Sequence, residues 1–217
     1  MAEVGTGPAP DAGVDRVRRK REAPAERREA ILDAAIKVVT ERGLADTRVA
    51  DVASAIGVSQ GLVHYYFPDK DDLIAATMRH AADLDAAALI EAVASVPDAT
   101  SKLDLFLQSS IPTPDTRATW ALWVDAWAEA LRHEAIRSVH EDLDAAWNGL
   151  LEQVLRDGVA TGEFTCSDPV ASAARISALI DGLCLRLELR NRGISAAEVL
   201  SLLRAQAALE IGRPVAT

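Results

Sequence analysis

Apolar residues recur at helical spacing along most of the chain, and no stretch shows the two-residue alternation of a strand. Over 26–42, Ile31, Leu32, Ala35, Ile36 and Val39 mark one face of an amphipathic helix. Val49, Val52, Ala53 and Ile56 fall at i, i+3, i+4 and i+7 and predict a short helix over 48–56. Gly57 offers the permissive backbone a sharp helix end needs, and Val58 can plug the corner that follows. Ser59 can cap a two-turn helix over 60–66, which Pro68 closes. Asp69 and Asp72 resemble a capping box opening a long helix to about residue 95. Ser101 and Asp104 look like another helix start, with Leu103, Phe106 and Leu107 turned to a core. Pro112 and Pro114 break the chain before a helix over 115–131, and a further helix over 134–160 ends at Gly162. Asp168 and Pro169 supply a cap and a first-turn proline for a helix expected to reach about residue 192, where Gly193 ends it. Ser195 and Glu198 form a capping box for a last helix ending near Gly212.

The pattern predicts an all-α protein: a three-helix DNA-binding head with a helix-turn-helix, and a larger helical bundle. The expected division is a disordered basic arm over 1–25, a helix-turn-helix domain over 26–70, and a second domain over 71–217. Charge sharpens this division. The net charge of −10 argues against a nucleic-acid partner, but its distribution reverses that. Residues 16–70 carry 11 basic and 8 acidic side chains, and residues 71–217 carry 12 basic and 22 acidic ones. A basic end on an acidic body suits a DNA reader attached to a regulatory part. Arg16, Arg18, Arg19, Lys20 and Arg21 form either a phosphate or minor-groove contact or a solvated charge run.

The run from Glu41-Arg42-Gly43 through Thr47, Val52-Ala53 and Gly57-Val58-Ser59 to the string Tyr65–Leu73 resembles the amino-terminal domain of the TetR family of transcriptional regulators. The string Gly61–Phe67, with Ala76–Arg79 after it, is similar to the betaine-regulator subgroup. The resemblance implies a ligand-responsive regulator, by family habit a repressor, that binds a pseudo-palindromic double-stranded operator as a homodimer and is released by a small-molecule effector, with the helical bundle over 71–217 as its ligand-binding (effector-binding) and dimerisation domain. It places Thr47, Arg48, Ser59, Gln60, Gly61, His64, Tyr65, Tyr66 and Lys70 at the DNA. Arg48 can reach a phosphate or a guanine edge, and Gln60 can pair with adenine. Thr47 can cap the second helix and touch a phosphate, and Lys70 can grip one. His64 departs from the tyrosine common at its position. Phe67 is expected in the head's core.

Trp120, Trp123 and Trp127 share one helix face, and Asp125 lies between them off that stripe. His133, His140 and Trp147 recur every seven residues after it. Such a stripe is either core or pocket wall, and core is the commoner outcome. The resemblance favours an effector pocket holding Trp120, Trp123, Trp127, His140 and Trp147. Tryptophans in an acidic domain suit a cationic ligand. Ile176, Leu179, Ile180, Leu183 and Leu187, with Val199, Leu200, Leu202, Leu203 and Ala207, either form a four-helix dimer interface or pack within one subunit. Dimerisation is the expectation, with Gly182 allowing close approach. No nucleophile-elbow, phosphate-loop or zinc-helix motif occurs, so neither an enzyme nor a metal or cofactor is expected. Cys166 and Cys184 have the spacing of neither a zinc site nor a redox pair. No apolar run approaches the ~20 residues of a membrane span, and a cytoplasmic location is expected. The competing reading is an acidic helical dimeric adaptor that never binds DNA.

Overall fold

In the computed structural model the described residues are 23–114, 116–189 and 193–212, and all regular structure among them is helical. The order is α1 (Pro24–Arg42), α2 (Val49–Ala55), α3 (Gln60–Tyr66), α4 (Lys70–Ala94), α5 (Ala99–Ser109), α6 (Arg117–Ala130), α7 (Glu134–Thr161), α8 (Pro169–Glu188) and α9 (Ala196–Ile211).

Three apolar clusters hold these helices together. The first joins Ile31, Leu32 and Ala35 of α1 to Val52 and Ala53 of α2, Val63 of α3, Phe67 and Leu73. The second sets Val39 and Leu44 against Ile74 and Met78 of α4, Leu122 and Ala126 of α6, and Ile136 of α7. The third and largest packs Phe106 of α5, Leu151 and Leu155 of α7, Ile176 and Ile180 of α8, and Val199 and Leu203 of α9. Helix α4 enters all three, through Leu73, then Ile74 and Met78, then Leu89. Each fully buried side chain of this size contributes about 1.5–3 kcal/mol, so the first three helices are clamped to the body rather than tethered to it.

Most predicted boundaries are found, with informative exceptions. The basic arm is outside the described residues up to residue 22, and Pro24 already opens α1 as its first-turn proline. Helix α5 starts earlier than Ser101 and Asp104 suggested. Asp98 is its cap, accepting from Ser101 N at 2.7 Å. Asp104 instead receives both Nε and Nη2 of Arg204 on α9, at 2.6 and 2.8 Å. Helix α8 stops at Glu188 with Leu189 as its cap residue, short of the expected 192. At α2 the N-cap residue is Arg48, whose N–H donates to Asp51 Oδ2 at 3.1 Å. Thr47, expected to cap this helix, turns inward and donates to the Gly43 carbonyl at 2.8 Å.

Of the apolar faces expected at a dimer interface, most pack within the protomer. Ile176, Ile180, Leu183, Val199, Leu203 and Ala207 are buried, and Leu179, Leu187 and Leu200 pack partly against the same core. Only Leu202 of that set stays exposed. The outward strip is a different one: Ala178 and Gly182 on α8, with Leu202, Ala205 and Leu209 on α9.

Candidate nucleic-acid interface and effector cavity

The turn between α2 and α3 is made by Gly57 at φ +67°, after which Val58 N–H donates back to the Ala53 carbonyl at 2.9 Å. Ser59 then caps α3, its Oγ accepting from Leu62 N at 3.2 Å. This geometry buries Val63 and Phe67 and leaves Gln60, Gly61, His64 and Tyr65 exposed on one short helix. Tyr65 is the most outward of them, 79% exposed. Tyr66 is half-buried, packs on the head core, and meets the Tyr65 ring edge-on at 5.1 Å. The His64 ring nitrogen Nδ1 lies 3.1 Å from the Pro68 carbonyl, which fixes the ring at the end of the helix. Lys70 donates to the Ala45 carbonyl at 2.8 Å, tying the start of α4 to the loop before α2. Arg48 is exposed beside it, whereas Thr47 is 1% exposed, so its hydroxyl is withdrawn from the surface. Phe67 is a core residue, as expected, and the Arg28 guanidinium stacks over its ring at 5.1 Å. The described head residues, 23–70, hold six basic and seven acidic side chains, so its basic excess resides in residues 16–21.

Trp120 and Trp123 pack partly against the apolar clusters. Trp120, Trp123 and Trp127 are all half-buried and line a cavity of about 380 Å³, and His140 and Trp147 line it too. Trp127 meets Trp120 edge-on at 6.2 Å and His140 at 6.3 Å, and Trp147 rests on Phe106 at 4.9 Å. His133, the other member of the seven-residue series, is exposed, pairs with Glu129 at 3.1 Å, and is not among the cavity residues.

Three carboxylates that sequence reasoning missed also line the cavity: Asp85 of α4, Asp144 of α7 and Asp181 of α8. Among the described residues no lysine or arginine does. Asp85 is accessible from the hollow yet enclosed enough that burial raises its carboxyl above the usual range, while a hydrogen bond from Trp123 pulls the other way. Asp181 is half-buried and is pushed up to about 6, first by burial and then by the charge of Asp144. The missed signal was local. His140, Asp144 and Trp147 stand at i, i+4 and i+7, so Asp144 sits on the face already singled out. Asp85 interrupts an alanine-rich helix between Ala81 and Ala88.

Asp125, set aside because it lies off the tryptophan stripe, has another task. Its Oδ2 accepts from Leu44 N at 3.0 Å across the sequence, so α6 holds the end of α1 directly. The helix that bears three cavity tryptophans therefore also grips the head.

A chain that presents two turns of helix to DNA at one end, and a hollow for a small molecule among helices that reach back to that end, senses and reads in one piece. That is the plan of a ligand-responsive transcriptional regulator. Residues 31–77 match the tetR family of bacterial regulatory proteins, and residues 99–212 match the C-terminal region of BetI-type transcriptional repressors. The HTH-type transcriptional regulator BetI of Burkholderia ambifaria is 33% identical over 186 residues, covering 81% of this chain and 89% of its own. A BetI from Pseudomonas paraeruginosa is 29% identical, covering 81% of this chain and 88% of its own. Among solved structures, a transcriptional regulator from Saccharomonospora viridis in complex with choline is 30% identical with a TM-score of 0.76, covering 83% of this chain and 95% of its own. A TetR-family regulator from Rhodococcus sp. is 31% identical with a TM-score of 0.76, covering 86% and 99%. The chain belongs to the TetR family of transcriptional regulators and carries a BetI-type C-terminal region. No helix among the described residues is long and apolar enough to cross a membrane.

Proposed function

We propose that this protein is a cytoplasmic repressor that holds a pseudo-palindromic operator as a homodimer and lets go when a small quaternary-ammonium-type cation fills the cavity. The observation that carries the effector class is the cavity wall: tryptophan faces and three carboxylates, with no lysine or arginine among its described residues. Ring faces and carboxylates both attract a cation that has shed its water, and neither suits an anion. The choline held by the similar S. viridis protein supports the same reading.

At the DNA, Gln60, Gly61, His64 and Tyr65 face the major groove, with Gln60 reading a base. Arg48, Tyr66 and Lys70 attend to backbone or flanking edges, and Ser59 serves through its cap. Thr47 contributes by setting the loop rather than by a hydroxyl contact. The arm at 16–21 supplies most of the phosphate contact. The outward strip of Leu202, Ala205 and Leu209 beside Ala178 and Gly182 forms the dimer seam. A Cβ on Gly182 would meet nothing within the protomer, so the protomer itself does not require that glycine. Two such heads reach half-sites one helical turn apart.

An effector shifts this equilibrium only if it binds the released form more tightly than the operator-bound one. Helices α4 and α6 are the shared parts, through the three apolar clusters and through Asp125. The test is a gel shift on the promoter beside the protein's own gene, with tryptophan fluorescence read in parallel. Choline should quench the fluorescence and release the operator over one concentration range. If only neutral lipophilic compounds do both, the cation reading is wrong.

A further inference from the structure

Asp144 of α7 and Asp181 of α8 both line the cavity, and the charge of Asp144 bears on Asp181. Asn148, one turn along α7, donates to Asp144 Oδ2 at 3.0 Å and holds that carboxylate in place. The Asn148 Oδ1 and, one turn before Asp181 on α8, the Ser177 hydroxyl are both buried without a partner.

Among the described residues no lysine or arginine lines the cavity beside Asp181. Helix α4 brings Asp85 to the cavity and α7 brings His140. On α8, Cys184 is pushed up to about 12 by burial and by Asp181 and Glu188. Glu188 is itself held by Arg117 of α6 at 3.0 Å. The described residues of helix α5 and the loop after it that line the cavity are uncharged, among them Gln108 and Thr113. On α9, Arg204 is paired with Asp104 and Glu210 with Arg175. Burial and the charge of Asp144 both favour the protonated form of Asp181. A bound cation supplies the missing positive charge and removes the reason for the proton.

We propose that Asp181, on the cavity wall with Asp144, is a proton site that competes with the cationic effector, so that the cavity weighs cation against proton. This rests on the cationic reading above. The sign follows from Asp181, which is neutral below about pH 6 and ionised above it. Cation affinity is full above neutrality and falls as pH drops through 6, by up to about tenfold per unit.

The probe is choline, with tetramethylammonium beside it, titrated calorimetrically into the full chain from pH 5 to pH 8 with circular dichroism confirming the fold. Affinity should be roughly tenfold weaker at pH 5 than at pH 7.5. Near pH 6 the heat should differ between buffers of different ionisation enthalpy, because a proton is released on binding. Asp181→Asn should flatten the profile, whereas Asp85→Asn and His140→Asn should keep it. A flat wild-type profile with buffer-independent heat overturns the proton site while leaving the cation reading intact. So does a profile that survives Asp181→Asn and vanishes in His140→Asn or Asp85→Asn. If neither probe binds at pH 8, the cation reading falls and the proton site with it. If Asp181→Asn does not fold, the wild-type buffer comparison decides the matter alone.

Discussion

Helix α3 carries its exposed reading residues within seven consecutive positions, whereas the cavity gathers its wall from residues between Ala82 and Asp181 on α4, α5, α6, α7 and α8. The reading helix is held by local devices: a capped start, a glycine turn and two buried side chains beneath it. The cavity has no local device, because its shape is what remains when long helices pack around it. The first is held by contacts between near neighbours in sequence, the second by the packing of whole helices. That asymmetry is what a regulator needs. The reader must hold its geometry, and the sensor must transmit a small displacement of its walls.

Salt offers the largest contrast between the two. A reader with about 6–10 phosphate contacts loses about 10³–10⁵-fold in operator affinity between 50 and 200 mM salt. Choline in a walled cavity should change by no more than about threefold over the same range, since enclosed pairs are screened less. Removing residues 1–22 should lower the salt slope by about 0.9 for each phosphate that the arm neutralises, and leave choline binding unchanged. Equal salt slopes at the two sites, measured by anisotropy and by calorimetry, would break the comparison.

Substitutions within the reader should separate by kind. Gln60→Ala should cost about 1–3 kcal/mol at one base pair of each half-site and relax preference there. Lys70→Ala should weaken all sequences alike and reduce the salt slope by about one. Binding to a panel of single-base operator variants distinguishes them. If both mutants lose affinity uniformly, Gln60 is not reading a base.

The smallest effect is expected in the cavity. Trp123→Leu should weaken choline by about 2–30-fold, the worth of one ring face to a cation at about 0.5–2 kcal/mol. Operator affinity without effector should stay as it is. A variant that melts early and cannot be rescued by choline would instead mark Trp123 as a support of the fold.

The same asymmetry decided what the sequence could disclose. The head was readable because its signals are neighbours: Gly57, Val58, Ser59 and Pro68 mark a turn, a cap and a stop in order. Helix periods were equally plain, and the capping box at Ser195 and Glu198 is found as expected, with Ser195 N donating to Glu198 Oε2 at 2.7 Å. The α5 start was misread because Ser101 and Asp104 mimic a box while Asp98 makes the bond. The aromatic half of the cavity showed as a stripe on one helix. Whether that stripe faced a core or a hollow depended on which helices came opposite it, and periodicity holds no record of partners. Asp85 and Asp181 were invisible for the same reason, each looking like a solvated acid on its own helix. The α8 and α9 faces erred in the other direction, since apolar periodicity cannot tell a core in one protomer from a seam between two.

The bond from Leu44 N to Asp125 Oδ2 bears on how such proteins can be recombined. An engineer making a chimera would naturally cut near the start of α4 and graft this reader onto a foreign sensor. The donor at Leu44 would travel with the graft, while its acceptor, 81 residues downstream, would stay behind. The transplanted reader would keep the part of its apolar cluster that runs from Ile31 to Phe67. It would no longer be latched to the helix that bears three cavity tryptophans, and the hybrid is expected to respond poorly to an effector. A working exchange must carry an aspartate at that place on the new α6, or cut where the latch, rather than the sequence, divides.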